Sequence, residues 1–297
     1  MVRKIVYKGE KIMRFMRYRP WFFALSLLVI IPGLVSLLRF GFRPAIDFTG
    51  GSLLVFRFEH EVTSDQLTSV ESAREFTAVQ NAGERTWLLR GKPISNEEKE
   101  QFVQAVSEEV GQVEVQRFET VGPTLGKELL TKMLTAGLIV TVFILLYVAR
   151  QFKNFQFGLA AIIAMFHDSL VLLGSFSLLG YFYDVEIDVL FVTAMLTTLS
   201  FSVHDTIVVF DRIRELQHKY PKYSLIDTAD RAISETLVRS LNNSLTIILM
   251  LLALVLMGGE SIRWFAVALL IGAVTGTYSS TFTAVPLLVV LGRSKSH

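Results

Sequence analysis

Cysteine is absent from this chain of 297 residues. Its absence excludes disulfides, a thiolate metal site and a cysteine nucleophile. Charge is also scarce: 19% of residues are Asp, Glu, Lys or Arg against 52% hydrophobic, where soluble domains carry about 25% charged residues. The net charge of +2 is too small to imply a nucleic-acid partner. No His-Glu-x-x-His zinc helix and no Gly-x-Ser-x-Gly elbow occurs, so the common hydrolase motifs are missing as well. No cofactor is expected. What the chain has in quantity is long apolar runs, and these read as a polytopic α-helical membrane protein.

Six runs approach the roughly 20 residues needed to cross a core about 30 Å thick. They fall at 21–38, 130–148, 157–179, 189–210, 240–257 and 265–291. The first reads as a retained span. Its apolar run is too long for a cleavable signal, and Leu38-Arg39-Phe40 follows in place of a small-residue cleavage site. Basic residues collect at one set of ends, which sets orientation. The 1–20 segment carries Arg3, Lys4, Lys8, Lys11, Arg14, Arg17 and Arg19 against Glu10 alone, and the 149–156 connection and the tail are basic too. The 211–239 connection is mixed but rich in Arg and Lys, whereas the 180–188 turn has Asp184, Glu186 and Asp188 and no base. Both termini are therefore expected in the cytoplasm, with 39–129 on the far side.

Residues 39–129 are too polar to span and read as an α+β domain. Alternation marks strands at 52–59 and 113–120, with weaker ones at 78–80 and 86–90. Thr63 or Ser64 can cap a helix running to about Glu75, and Ser95 with Glu98 makes a capping box for a second. The order β-α-β-β-α-β is that of a ferredoxin-like unit. Ala45-Ile46-Asp47-Phe48-Thr49-Gly50-Gly51 follows the first span, and its Gly pair marks a turn. The string 121–129, with Gly122 and Pro123, reads as a hinge before span two. Within 211–239 the apolar residues from Leu225 to Leu237 recur every three or four positions, the pattern of an amphipathic helix lying on the cytoplasmic surface.

Ionisable residues inside the spans are the functional candidates, because a carboxylate at membrane depth costs roughly 2.5–3.5 kcal/mol even on lenient insertion scales. Span four carries His204 and Asp205, the latter roughly 8 Å from its cytoplasmic end at helical rise. Arg239 lies about as deep if span five begins near Glu235; that span runs antiparallel, so the two can then share one level. A nearby arginine favours the charged carboxylate and desolvation favours the neutral acid. A group held between those effects can bind and release a proton. The alternative for Arg239 is snorkelling to the interface. Span three carries His167 and Asp168 near the midplane, either as part of a path or as structural partners of neighbouring helices. Hydroxyls on span four, at Thr197, Thr198, Ser200, Ser202 and Thr206, read mainly as interhelical hydrogen bonds. Gly272 and Gly276, with Thr275, Ser279 and Ser280 nearby, read as a close-packing pair. An aspartyl pair from Asp168 and Asp205 ranks low, since their depths differ by roughly 8–9 Å.

Together these strings resemble the SecF family, the smaller membrane subunits of SecDF protein-export complexes. Asp-Phe-Thr-Gly-Gly stands at 47–51, Val-Gly-Pro…Gly…Leu at 121–129 and His-Asp at 167–168. The string Asp205–Glu215, Thr-Leu-x-Arg at 236–239 and Gly-Thr-x-Ser-Ser at 276–280 complete the likeness over nearly the whole chain. The resemblance implies half of an RND-type bundle completed by SecD in the bacterial inner membrane. It implies association with the SecYEG channel and unfolded preproteins, and export driven by the proton gradient, with sodium left open. It assigns the proton pathway to Asp205 and Arg239. Many relatives have Asn where this chain has His204, which either joins the relay or donates a hydrogen bond as Asn would. The competing reading is half of an RND-type exporter of small molecules or lipids, against which the strings at 47–51 and 121–129 speak.

Overall fold

The computed structural model describes residues 13–70, 76–83, 85–152 and 154–293. The chain forms two compact units, one of Met1–Arg43, Gly137–Val185 and Leu190–His297, the other of Pro44–Ala136 and Glu186–Val189. Of the expected features, Arg3, Lys4, Lys8, Lys11, the helix segment near Glu75 and the last residues of the tail lie outside the described residues.

The second unit is built on four strands: β1 Gly51–Phe58, β2 Phe76–Gly83, β3 Thr86–Gly91 and β4 Val113–Val121. They form one antiparallel sheet in the order β2-β3-β1-β4. Helix α2 (Ile46–Thr49) precedes β1, α3 (Ser64–Ser69) follows it, and α4 (Asn96–Glu109) precedes β4. Period-two alternation directs Leu54, Phe56 and Phe58 to one face. There Leu54 lies opposite Leu89 and Phe56 opposite Trp87, over Leu67, Phe102 and Val106. The rings of Phe56 and Phe102 stack at 5.7 Å between centroids. The expected capping box forms: Ser95 Oγ accepts from the Glu98 amide at 3.2 Å while Glu98 accepts from the Ser95 amide at 2.6 Å. Thr63 is the N-cap of α3, where Gln66 accepts from the Thr63 amide at 2.9 Å. Strand β2, thinly marked in the sequence, runs well beyond 78–80, because pairing with β3 compensates for weak alternation.

The first unit is helical. Helix α1 (Arg19–Phe40) follows a 3-10 turn at Phe15–Tyr18, and α5 (Pro123–Gln151) contributes its portion from Gly137. Then come α6 (Phe155–Tyr183), α7 (Val189–Lys219), α8 (Leu225–Met257) and α9 (Glu260–Ser279). A π-helical turn at Ser280–Ala284 leads into α10 (Val285–Arg293). Pro286 explains the turn: it cannot donate the helical hydrogen bond and its ring crowds the turn before it. Among the described residues six helices are long and apolar enough to cross a membrane. Small residues let them meet closely. A Cβ on Gly174 would come 2.6 Å from the Gly33 Cα, and one on Gly272 would come 2.0 Å from Thr198 Cγ2. Ser36 and Ser177 hydroxyls bond at 2.9 Å across α1 and α6.

Residues 123–129 are the first turns of α5, with Pro123 as its first residue, where its missing N–H costs nothing. One expectation changes: 211–239 does not contain a separate surface helix. Helix α7 continues through the charged run to Lys219, and α8 starts at Leu225 and passes unbroken into span five. Ala229, Ala232 and Ile233 are fully buried against Ile213, Leu216 and Leu288. The same 3.6-residue periodicity serves a membrane-surface helix and an extension of the bundle, so only packing partners separate them. Arg212, Glu235 and Arg231 join the two extensions in an ion-pair chain, with Arg231 Nε 2.7 Å from Glu235.

Candidate functional site

Helix α6, the most buried of the six spans, carries His167 and Asp168 into the helical unit. Asp168 is 5% exposed, and both of its oxygens are engaged. Oδ1 meets His167 Nδ1 at 2.9 Å. Oδ2 accepts from Ser202 Oγ of α7 at 2.5 Å and from Ser279 Oγ of α9 at 2.6 Å. One carboxylate thus ties three helices together. The His167 ring lies 6.4 Å from the Tyr278 ring, and its Nε2 is buried without a hydrogen-bond partner among the described residues.

Asp205 has a contrasting environment. It is 6% exposed, yet its Oδ2 has no hydrogen-bond partner among the described residues. Ser240 of α8, next in sequence to Arg239, lies near enough to interact with Asp205. The buried hydroxyls of Ser240 and Ser244, one helical turn apart on α8, also lack hydrogen-bond partners there. Leaving such polar atoms unsatisfied costs about 1–3 kcal/mol each, so their clustering needs a reason. Arg239 is exposed and makes no ion pair among the described residues. His204 is exposed on the neighbouring face of α7. Asp168 and Asp205 share no hydrogen bond, so no aspartyl pair is assembled.

A polar surface runs beside this site. Thr193, Thr197, Ser200 and His204 are exposed along one face of α7. Arg239, Asn242, Asn243 and Thr246 are exposed along one face of α8. Their spacings of three and four residues keep each row on a single stripe. The α5 span, by contrast, has no buried residue in its apolar window and presents exposed Leu134, Leu138, Phe143 and Leu146.

In the sheet unit the 45–51 string is compact. Gly50 (φ 73°) and Gly51 (φ 136°) take backbone angles that side chains disfavour. A Cβ on Gly50 would lie 2.7 Å from the Pro123 Cα, and one on Gly126 2.8 Å from the Gly50 amide nitrogen. The Gly122 carbonyl accepts from the Gly126 amide at 3.0 Å as α5 begins. Asp47 Oδ2 accepts from the Val189 amide at 3.2 Å.

Sequence reading thus singled out the Asp-bearing spans but missed Ser240, whose only signal is its position beside Arg239 and one turn before Ser244. It also missed Asp230, whose carboxylate is buried and accepts from the Met16 amide at 2.7 Å. That residue is hidden in a connection where an acid looks solvated.

Six apolar helices around buried polar groups define a polytopic helical membrane protein. Comparison with known proteins gives the particular family. The description "Protein export membrane protein SecD/SecF, C-terminal" matches residues 101–294, and "SecD/SecF GG Motif" matches 35–62. The protein translocase subunit SecF of Thermobaculum terrenum is 42% identical over 291 residues, 92% of each chain. That of Vibrio alginolyticus is 36% identical, over 98% of this chain and 94% of its own. The crystal structure of SecDF from Thermus thermophilus, described as a translocon-associated membrane protein, superposes with a TM-score of 0.83 at 33% identity. That match covers 99% of this chain but 40% of the solved one. A second SecDF structure, in a super-membrane-facing form, gives a TM-score of 0.70 at 31% identity. The chain belongs to the SecD/SecF family of protein export membrane proteins.

Proposed function

We propose that this chain is the six-helix SecF half of a motor that uses the proton gradient to promote preprotein translocation. The observation that carries this reading is the contrast between the two buried carboxylates. Asp168 is saturated by His167, Ser202 and Ser279, which suits a joint that holds helices. Asp205 keeps one buried oxygen without a hydrogen-bond partner among the described residues, which suits a group that accepts a proton and gives it up. In the charged state Arg239, one residue before Ser240, balances Asp205. On protonation that attraction is lost, and α7 and α8 settle differently. Movement of these helices then tilts the sheet unit, whose strand order β2-β3-β1-β4 is that of a ferredoxin-like unit, on the extracytoplasmic side of the bacterial inner membrane. Both termini are cytoplasmic in this reading. No catalytic step and no bound cofactor is involved.

The polar stripes of α7 and α8 support a partner half. Exposed His204, Arg239, Asn242 and Asn243 would be unfavourable facing lipid, whereas a second polar helix bundle accommodates them. The 40% share of the SecDF chain that this protein matches fits SecD as that half, with the SecYEG channel and unfolded preprotein as further partners.

The test is preprotein export in cells whose copy is Asp205→Asn at normal abundance. Export should fall to the level seen without a proton gradient, and full export would end the proposal. Collapsing proton and sodium gradients separately identifies the ion. Efflux of small molecules or lipids with intact preprotein export would instead favour the exporter reading.

A further inference from the structure

Four residues between α6 and α7 belong to the sheet unit: Glu186–Val189. Three contacts fix them there. Pro44 and Ile187 form a parallel bridge, with the Ala45 amide donating to the Ile187 carbonyl at 2.9 Å. Arg90 of β3 pairs with Glu186. Asp47 Oδ2 accepts from the Val189 amide, 142 positions away in sequence. Val189 is the first residue of α7. The first amides of a helix have no partner within it, and a carboxylate there both satisfies a donor and opposes the helix dipole. Asp47 therefore caps, from the sheet unit, the helix that carries Asp205. The turn at Gly50 and Gly51 leads from the α2 turn that holds Asp47 directly into β1. Neither glycine has room for a side chain: a Cβ on Gly51 would lie 2.8 Å from the Gly91 carbonyl oxygen. The Gly-Gly pair thus seats the cap against the central strand.

We infer that Asp47 is a positioning residue for Asp205, and that Glu186–Val189 is a strap passing movement between the sheet and α7. This rests on the proton-carrying reading of Asp205. The strap closes by a bridge, an ion pair and a cap, so losing the cap loosens it without unfolding either unit.

The absence of native cysteine allows a direct test in the full chain with its partner. In membranes, a single Ile187→Cys residue reports strap opening by its rate of maleimide modification. Asp47→Ala should raise that rate roughly five-fold, the effect of a typical lost cap. Asp47→Asn, an equally good cap, should leave it unchanged. Export should fall in Asp47→Ala, persist in Asp47→Asn, and return when a Pro44→Cys/Ile187→Cys disulfide clamps the strap in the Asp47→Ala background. Reduction should abolish that rescue. Unchanged thiol reactivity in Asp47→Ala overturns the strap, and faster reactivity with undiminished export overturns the positioning role. If Asp205→Asn exports normally while the thiol rates behave as expected, the strap stands and the positioning role falls with the proton reading.

Discussion

Replacing the two buried aspartates should separate stability from function. In Asp168→Ala, the Ser202 and Ser279 hydroxyls and the His167 ring lose a shared acceptor. Hydrogen bonds to a charged group contribute about 1.5–3 kcal/mol each. Ser279 retains a weaker acceptor in the Gly276 carbonyl at 3.3 Å, so its loss is partial. Ser202 and His167 carry most of the loss, and about 3–5 kcal/mol is expected once the small void is included. Asp168→Asn can keep its amide oxygen toward the two hydroxyls and donate its NH2 to His167 Nδ1, and should cost only about 1–2 kcal/mol. Asp205→Asn removes a charge from a carboxylate whose Oδ2 has no hydrogen-bond partner among the described residues. Its stability should stay within about 0.5 kcal/mol of the parent or rise. The assay is reversible unfolding of the purified complex in mixed micelles, followed by circular dichroism, alongside export in cells. An Asp205→Asn protein destabilised as much as Asp168→Ala would refute the reasoning. So would an Asp168→Ala protein that loses less than about 1 kcal/mol, since the three-helix joint would then be worth little.

Two further outcomes follow from packing. Gly272→Ala should destabilise the bundle by roughly 1–3 kcal/mol, because the new Cβ meets Thr198 Cγ2. Adding Thr198→Ser removes that methyl but leaves the residue-198 Cβ 2.5 Å from the new one, so it should recover only part of the loss in the same unfolding assay; no recovery would place the strain elsewhere. Phe56→Ala, at a fully buried position stacked on Phe102, should cost about 3–5 kcal/mol. The loss should appear as faster hydrogen exchange in β1 and α4, with the amides of α6 unaffected.

The spans and the β-α-β-β-α-β order are legible in the sequence because both follow from local rules. A bilayer demands about 20 apolar residues, and a half-buried strand or capped helix announces its period within a few positions. Boundaries were less legible wherever a tertiary partner decided them. The weak strand at 78–80 lengthens by pairing with β3, and the amphipathic stretch from Leu225 becomes the buried start of α8 because α7 and α10 supply its partners. Asp47 looked like part of a turn, and its role as a cap depends on an amide far along the chain.

The two His-Asp pairs show the division most sharply. His167-Asp168 and His204-Asp205 are the same dipeptide in similar apolar runs, and sequence alone identifies both as costly groups that need a purpose. Which one is satisfied depends on hydroxyls brought from other helices. Ser202 and Ser279 reach Asp168, while Asp205 is left with a buried oxygen lacking a hydrogen-bond partner among the described residues. A hydrogen bond needs its partner within about 3 Å, and only the packing of α6, α7, α8 and α9 sets those distances.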